Sequence, residues 1–239
     1  MFNLESYQEL LRKIKNLNYS FDNDNSKSQS NFFLRHDVDF DLLSVLSMAK
    51  VEYENDVTAT YFVMITNPNY SIMASENIQA IHQLRELGHQ VGLHFDSSKY
   101  GEHEIKEALE FEVEVLERIL KIKVDVFSQH QPTLNKYFQL ELENLQDINQ
   151  SLSSKHYKYL SDSCMSPRED WGTFLRMQHN IQLLIHPEFW TLNCADLQEF
   201  EKKYANLLVD RVNKTVTQNV EIMHQTLMNR NQLDSSVYE

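Results

Sequence analysis

Six short apolar runs rich in β-forming residues, with helix-period stretches between most of them, constrain this chain more than any other feature. The runs cover residues 31–39, 58–63, 89–95, 124–129, 159–163 and 181–186. Leu42, Leu46, Ala49 and Tyr53 make one helical stripe, and Ile78, Ile81, Leu84 and Leu87 a second. Ile105, Leu109, Val113, Leu116 and Leu120 make a third. Strand–helix alternation of this kind predicts βαβ units and a parallel sheet, in an α/β barrel or a doubly wound fold. Leu4, Tyr7, Leu10, Leu11, Ile14 and Leu17 predict a helix ahead of the first run, and the polar stretch 21–31 reads as an exposed loop. Phe200, Tyr204, Leu207, Leu208, Val212, Val216, Val220, Met223 and Leu227 predict a long C-terminal helix. That helix is expected to pack on its own domain, with a homodimer seam as the alternative. No internal repeat is present.

Composition narrows the options. With 239 residues, 41% of them hydrophobic, the chain can bury a full core and is read as one domain over residues 1–239. It has four Gly and four Pro, where about 17 and about 12 are usual for this length. Flexible linkers are thereby disfavoured. The net charge of −13, with no basic patch, disfavours nucleic acid as a partner. No run of ~18 apolar residues and no apolar leader occur, so the expectation is no membrane insertion and a cytoplasmic protein. Cys164 and Cys194 are read as ordinary free thiols. The seven glutamates between residues 102 and 120 are read as a solvated helix face.

The chemistry collects at the ends of the runs. The first closes Arg35-His36-Asp37-Val38-Asp39, which puts two carboxylates on one parity of a strand. Such a pair repels unless a cation or a shared proton lies between them. The third closes with His94 and Asp96, the fourth with His130, the fifth with Asp162 and the last with His186. In a parallel α/β fold the C-terminal strand ends meet at one rim. Asp and His there suit a divalent metal such as zinc, manganese, cobalt or iron. They also suit acid–base hydrolysis near neutral pH. His82, His103, His156, His179 and His224 fall on helices or loops and are read as incidental.

The ordered set FLRHDVDFD, ATYFV, GHQVGLHFD, FSQHQP, YLSDS and LLIHPEFW spans residues 32–190 and resembles the polysaccharide deacetylase family, in a branch with HDVD in place of TFDDG. The resemblance implies a distorted (β/α)7 barrel, with residues 191–239 as a helical extension. It implies hydrolysis of an N-acetyl group on an amino-sugar compound, using one divalent metal, zinc first. Asp37 then corresponds to the base and His186 to the acid. Asp39, His94 and His130 are the expected metal ligands, with Asp96 and His89 behind His130. Asp162 and Trp171 resemble the motif that supports the acid and lines the pocket, so Asp162, Trp171 and Trp190 are expected at the substrate, with Phe95 completing an aromatic wall. The family's second metal histidine would fall at position 98, which is Ser98. Two alternatives stay open: a non-catalytic domain that binds carbohydrate or a partner protein, and a barrel metallohydrolase acting on another amide or a phosphoester.

Overall fold

The computed structural model describes residues 2–21 and 30–236. The strands are β1 (Ser20–Phe21), β2 (Asn31–Val38), β3 (Thr60–Val63), β4 (Gln90–Phe95), β5 (Val126–Gln129), β6 (Gln146–Asp147), β7 (Lys158–Ser161) and β8 (Ile181–Ile185). The helices are α1 (Leu4–Asn16), α2 (Val45–Glu54), α3 (Ser75–Glu86), α4 (Ile105–Leu120), α5 (Ile148–Ser154), α6 (Trp171–Arg176), α7 (Pro187–Thr191) and α8 (Leu197–Ser236).

All strand pairs are parallel, in the order β6-β5-β4-β3-β2-β8-β7, with β1 beside the start of β2. The sheet curls into an open half-barrel, as a distorted (β/α)7 barrel requires. All six runs become strands. The two further strands, β1 and β6, are only two residues long. Most of the segment expected to be an exposed loop, residues 22–29, lies outside the described residues.

Strand parity divides the core into two faces. One parity of β2 to β8 lies under the helices and carries Phe32, Leu34, Tyr61, Leu93, Phe127, Leu183 and Ile185, all buried. The other faces the barrel interior, where Phe62, Val126, Ile148 and Leu152 pack together. A Cβ on Gly92 would sit 2.7 Å from the Phe62 ring and 2.9 Å from Val126 Cγ2, so the glycine makes room for that ring.

On the helical face, α1, α2, β2 and β3 are pinned by one carboxylate. Glu52 of α2 accepts from Tyr7 and from Tyr61 (2.7 Å), and lies 2.6 Å from His36 Nε2. Glu52 and His36 are wholly buried. Asn3 caps α1 by accepting from the Ser6 amide at 2.7 Å, and Asp147 caps α5 through the amides of Asn149 and Gln150. Among the described residues, ten non-glycine residues take a left-handed conformation, several just after helices: Asn18, Asp56, Lys121, His156, Gln178 and Asn193.

The chain divides into a unit ending at Cys194 and a second beginning at Ala195, which contains α8. In the second unit Phe200 and Tyr204 are buried. From Val209 to Leu227 the apolar side chains expected to pack are exposed instead. No described helix is long and apolar enough to cross a membrane. Neither Cys164 nor Cys194 forms a disulfide. One expected surface glutamate is misplaced: Glu112 of α4 is wholly buried, with its Oε1 accepting from Tyr100 at 2.5 Å. Burial pushes its carboxyl up to about 7.

Candidate metal centre and its flanking acid and base

Parallel pairing brings the C-terminal ends of β2, β4, β5, β7 and β8 to one rim. Register then sets the side chains. Asp37 is level with Phe62 and Gly92, and His94 is level with Ser128, all on the interior parity. Asp39, His130 and His186 each fall just past a strand end, with the strand aimed at the rim.

Three of them converge. Asp39 Oδ1 lies 3.3 Å from His94 Nε2 and 3.6 Å from His130 Nδ1, and those two nitrogens are 3.1 Å apart. One ligand-type atom from each of the three falls within 4.8 Å of the others. His94 Nδ1 lies 2.8 Å from Ser128 Oγ and 3.3 Å from the Ser128 carbonyl. A carbonyl only accepts, so the Nδ1 proton is assigned there, and the Nε2 lone pair faces His130 and Asp39. Asp39 Oδ1 is buried and has no hydrogen-bond partner. A buried carboxylate oxygen and two imidazole nitrogens aimed at one point are costly unless a cation or protons join them. The two-nitrogen, one-oxygen set fits zinc and its neighbours among divalent metals. Burial alone would raise the Asp39 carboxyl; His130 and His94 overcome it and hold the group well below its usual range. His130 is correspondingly raised, since Asp39 outweighs burial.

Asp37 sits beside this group, its Oδ2 at 3.5 Å from His94 Nε2. The buried Arg35 guanidinium clamps it from the same strand, with Nε to Oδ1 at 3.1 Å and Nη2 to Oδ1 and Oδ2 at 2.9 and 2.7 Å. Arg35 also donates to Asn149 Oδ1 at 2.5 Å and lies over the Phe62 ring. Burial raises the Asp37 carboxyl, but the arginine charge wins and the net shift is downward. Residues 35, 37 and 39 alternate on one parity, which is the sequence signal that marks Arg35.

On the other side stands His186, with Nε2 at 3.7 Å from Asp39 Oδ2. Its Nδ1 lies 2.7 Å from Asp162 Oδ1, and its backbone amide also donates to Asp162. Trp190 Nε1 donates to Asp162 Oδ2 at 2.8 Å. Burial would lower the imidazole; the Asp162 carboxylate reverses this and holds His186 up at about 10. Glu188, wholly buried, accepts from the amides of Phe40 and Asp41 at 3.1 and 2.9 Å. It thereby ties the segment after Asp39 to the segment after His186. Burial pushes its carboxyl up to about 8.

Some expected placements change. Asp162 is expected both to support the acid and to line the pocket, and Trp190 to line it. Both are buried behind His186, and Trp190 packs on Phe2 and Tyr7, so their contact is with the imidazole's support rather than with a ligand. Phe95 is no pocket wall either: it is fully buried and stacked on Tyr100. Trp171 opens α6 and is half-buried, with its Nε1 unpartnered. His89 lies on the helical face, accepting from the Ala59 amide. Asp96 turns to Ser98, accepting from its amide and its hydroxyl, so neither supplies a fourth ligand atom to the group. A separate cavity of about 990 Å³ opens at the opposite strand ends, lined by Asn31, Phe33, Gln90, Asp125, Tyr157 and Asn180 among others.

No family model matches the chain, and no curated protein matches it. Solved structures do show similarity. The chitin deacetylase from the fungal pathogen Colletotrichum lindemuthianum aligns over 73% of this chain and 81% of its own, at 19% identity and a TM-score of 0.44. The Streptococcus pyogenes deacetylase PplD, in complex with acetate, aligns over 80% and 85%, at 12% identity and a TM-score of 0.44. A CE4 family pseudoenzyme from Bacillus anthracis aligns over 75% of this chain and 60% of its own, at 14% identity and a TM-score of 0.41.

Proposed function

We propose that this chain is a metal-dependent hydrolase that removes an N-acetyl group from an amino-sugar compound. The observation that carries the reading is the buried, unpartnered Asp39 Oδ1 facing His94 Nε2 and His130 Nδ1, with Asp37 on one side and His186 on the other. Asp39, His94 and His130 would hold one divalent metal, zinc by preference. When bound, the metal supplies Lewis acidity, which acidifies water and polarises an acetyl carbonyl.

The chain's own residues do the rest. Asp37 is ionised and positioned, so it accepts the proton of the attacking water. Arg35 keeps it charged and fixes its two oxygens. His186 is protonated at neutral pH, and its Nε2 proton goes to the leaving nitrogen. Asp162 accepts from His186 Nδ1, which fixes the ring and keeps Nε2 as the donor. Trp190 in turn holds Asp162. We place the protein in the cytoplasm, which two cysteines held outside any disulfide support.

A non-catalytic carbohydrate-binding role is the second reading. It is favoured by the threefold grip of Arg35 on Asp37, which makes that carboxylate a weak base. Acetate release from a panel of N-acetylated sugars separates the two. The hydrolase reading expects release that falls at least about 100-fold in His186→Ala, the scale of lost acid–base catalysis. Binding of those sugars with equal, background release by both proteins would establish the non-catalytic reading instead.

A further inference from the structure

We propose that Tyr7 of α1 and Phe2, just ahead of that helix, are positioning residues for the proton donor, a role that rests on the hydrolase reading. The two rings hold the Trp190 indole against Asp162, and Asp162 in turn keeps His186 Nε2 facing the site. Asp162 is wholly buried. Among the described residues, its carboxylate is engaged by two residues only. His186 reaches it through Nδ1, 2.7 Å from Oδ1, and through its backbone amide, 3.2 and 3.1 Å from the two oxygens. Trp190 donates Nε1 to Oδ2 at 2.8 Å. Bonds between Asp162 and His186 fix the two relative to each other and not relative to the rest of the barrel. The indole is the described donor from outside that pair, so its placement sets the tilt of the carboxylate and with it the imidazole.

Trp190 lies near the end of α7, a helix of five residues, too short to fix a side chain by itself. The hold comes from the α1 side. The Phe2 ring meets the indole edge-to-face with centroids 4.9 Å apart, and the Tyr7 ring does so at 5.5 Å. Aromatic pairs favour that arrangement. Each ring is itself fixed. The Phe2 amide donates to the Cys194 carbonyl at 3.1 Å, in an antiparallel bridge just beyond α7. Tyr7 is wholly buried, and its hydroxyl donates to Glu52 Oε1. Phe2 also faces Phe189, whose ring lies 5.3 Å from the His186 ring.

A smaller side chain at either place leaves a gap beside the indole. The indole then tilts, and its bond to Asp162 lengthens or turns. Misplacing a catalytic group by about 1 Å lowers turnover by up to about 100-fold. The loss is selective. Asp37, Asp39, His94 and His130 stand at the ends of β2, β4 and β5 and face one another without Trp190. Tyr7 does face His36, at 6.3 Å, and His36 adjoins Asp37 in β2. Phe2 makes no ring contact with His36 among the described residues, so Phe2→Ala is the cleaner change.

Two acetyl substrates, the tetramer of N-acetylglucosamine and 4-nitrophenyl acetate, test the proposal on the full chain supplied with zinc. A leaving nitrogen needs the proton of His186, whereas 4-nitrophenolate departs as an anion without it. Phe2→Ala and Tyr7→Leu should lower kcat for the amide by about 10- to 100-fold, with KM little changed. The ester should change by less than about twofold. Tyr7→Phe keeps the ring and should recover most of the amide turnover. Hydrogen exchange of the Trp190 indole, followed by NMR with the Trp171 indole as internal reference, should quicken in Phe2→Ala and Tyr7→Leu while barrel amides stay unchanged. Equal losses on both substrates, an unmoved amide turnover, or a Tyr7→Phe protein as slow as Tyr7→Leu each overturn the proposal. Wild type that leaves the amide intact counts against the hydrolase reading, and the indole exchange then decides. Unchanged exchange overturns the proposal, and faster exchange upholds it. Should Tyr7→Leu fail to fold, Phe2→Ala carries the same test.

Discussion

His186 is held as an imidazolium by Asp162, and that charge has a signature in stability. Its ordinary value is 6.5 and its folded value is about 10. A group raised on folding stabilises the folded state fully below its unfolded value, and that contribution is lost as pH rises toward the folded one. Metal-free protein should therefore lose stability between about pH 6.5 and about pH 10. In urea unfolding across that window, His186→Gln and Asp162→Asn should flatten the slope relative to wild type. Parallel slopes for all three proteins would count against the imidazolium. At this scale the sequence made the polar strand ends visible, because Asp37, Asp39, His94, His130 and His186 each close a β-rich run. It hid the groups that hold them. Glu188 acts through amides of residues 40 and 41, and Glu52 gathers Tyr7, His36 and Tyr61, partners far apart in sequence. Only the fold brings those together. The surface reading of Glu112 failed for the same reason, since a run of glutamates does not reveal which one turns inward to Tyr100.

Among the elements, β4 places His94 through a close fit. Gly92 stands two residues before it, and Phe62 and Val126 fill the space where a Cβ would be. Gly92→Ala should destabilise the protein by about 1–3 kcal/mol, the usual cost of forcing an extra methyl into a packed interior. Chemical denaturation measures it, and a change below about 0.5 kcal/mol would mean that the Phe62 ring moves aside freely. The six apolar runs were legible because each has enough β-branched and aromatic residues to announce itself. The strands β1 and β6 were not, since two residues carry no periodicity and exist only through pairing with β2 and β5. The helical period of α8 is legible as far as Leu227, short of its end at Ser236. Its expected packing was not, because periodicity shows that a face is apolar without showing what covers it.

For the molecule as a whole, a ligand that binds the folded state alone raises its melting temperature by mass action. Zinc at about 100 times its dissociation constant should contribute about 2.7 kcal/mol. For a chain of this size that is a rise of roughly 5–10 °C. Calorimetry with and without the metal should show this in wild type, and little of it in Asp39→Ala. Equal shifts in both would assign the binding to some other place on the chain.

The scarcity of glycine bears on how this protein responds to heat. Where helices end, Lys121, His156 and Gln178 adopt the left-handed backbone that glycine would take without strain. Each such residue costs the native state roughly 1–2 kcal/mol. Each also leaves the denatured chain less free than glycine would, by about 0.5–1 kcal/mol of entropy. The strain is a roughly fixed energy, while the entropic saving grows in proportion to absolute temperature. A chain that closes its helices this way gives up some stability in the cold and recovers a part of it as it warms.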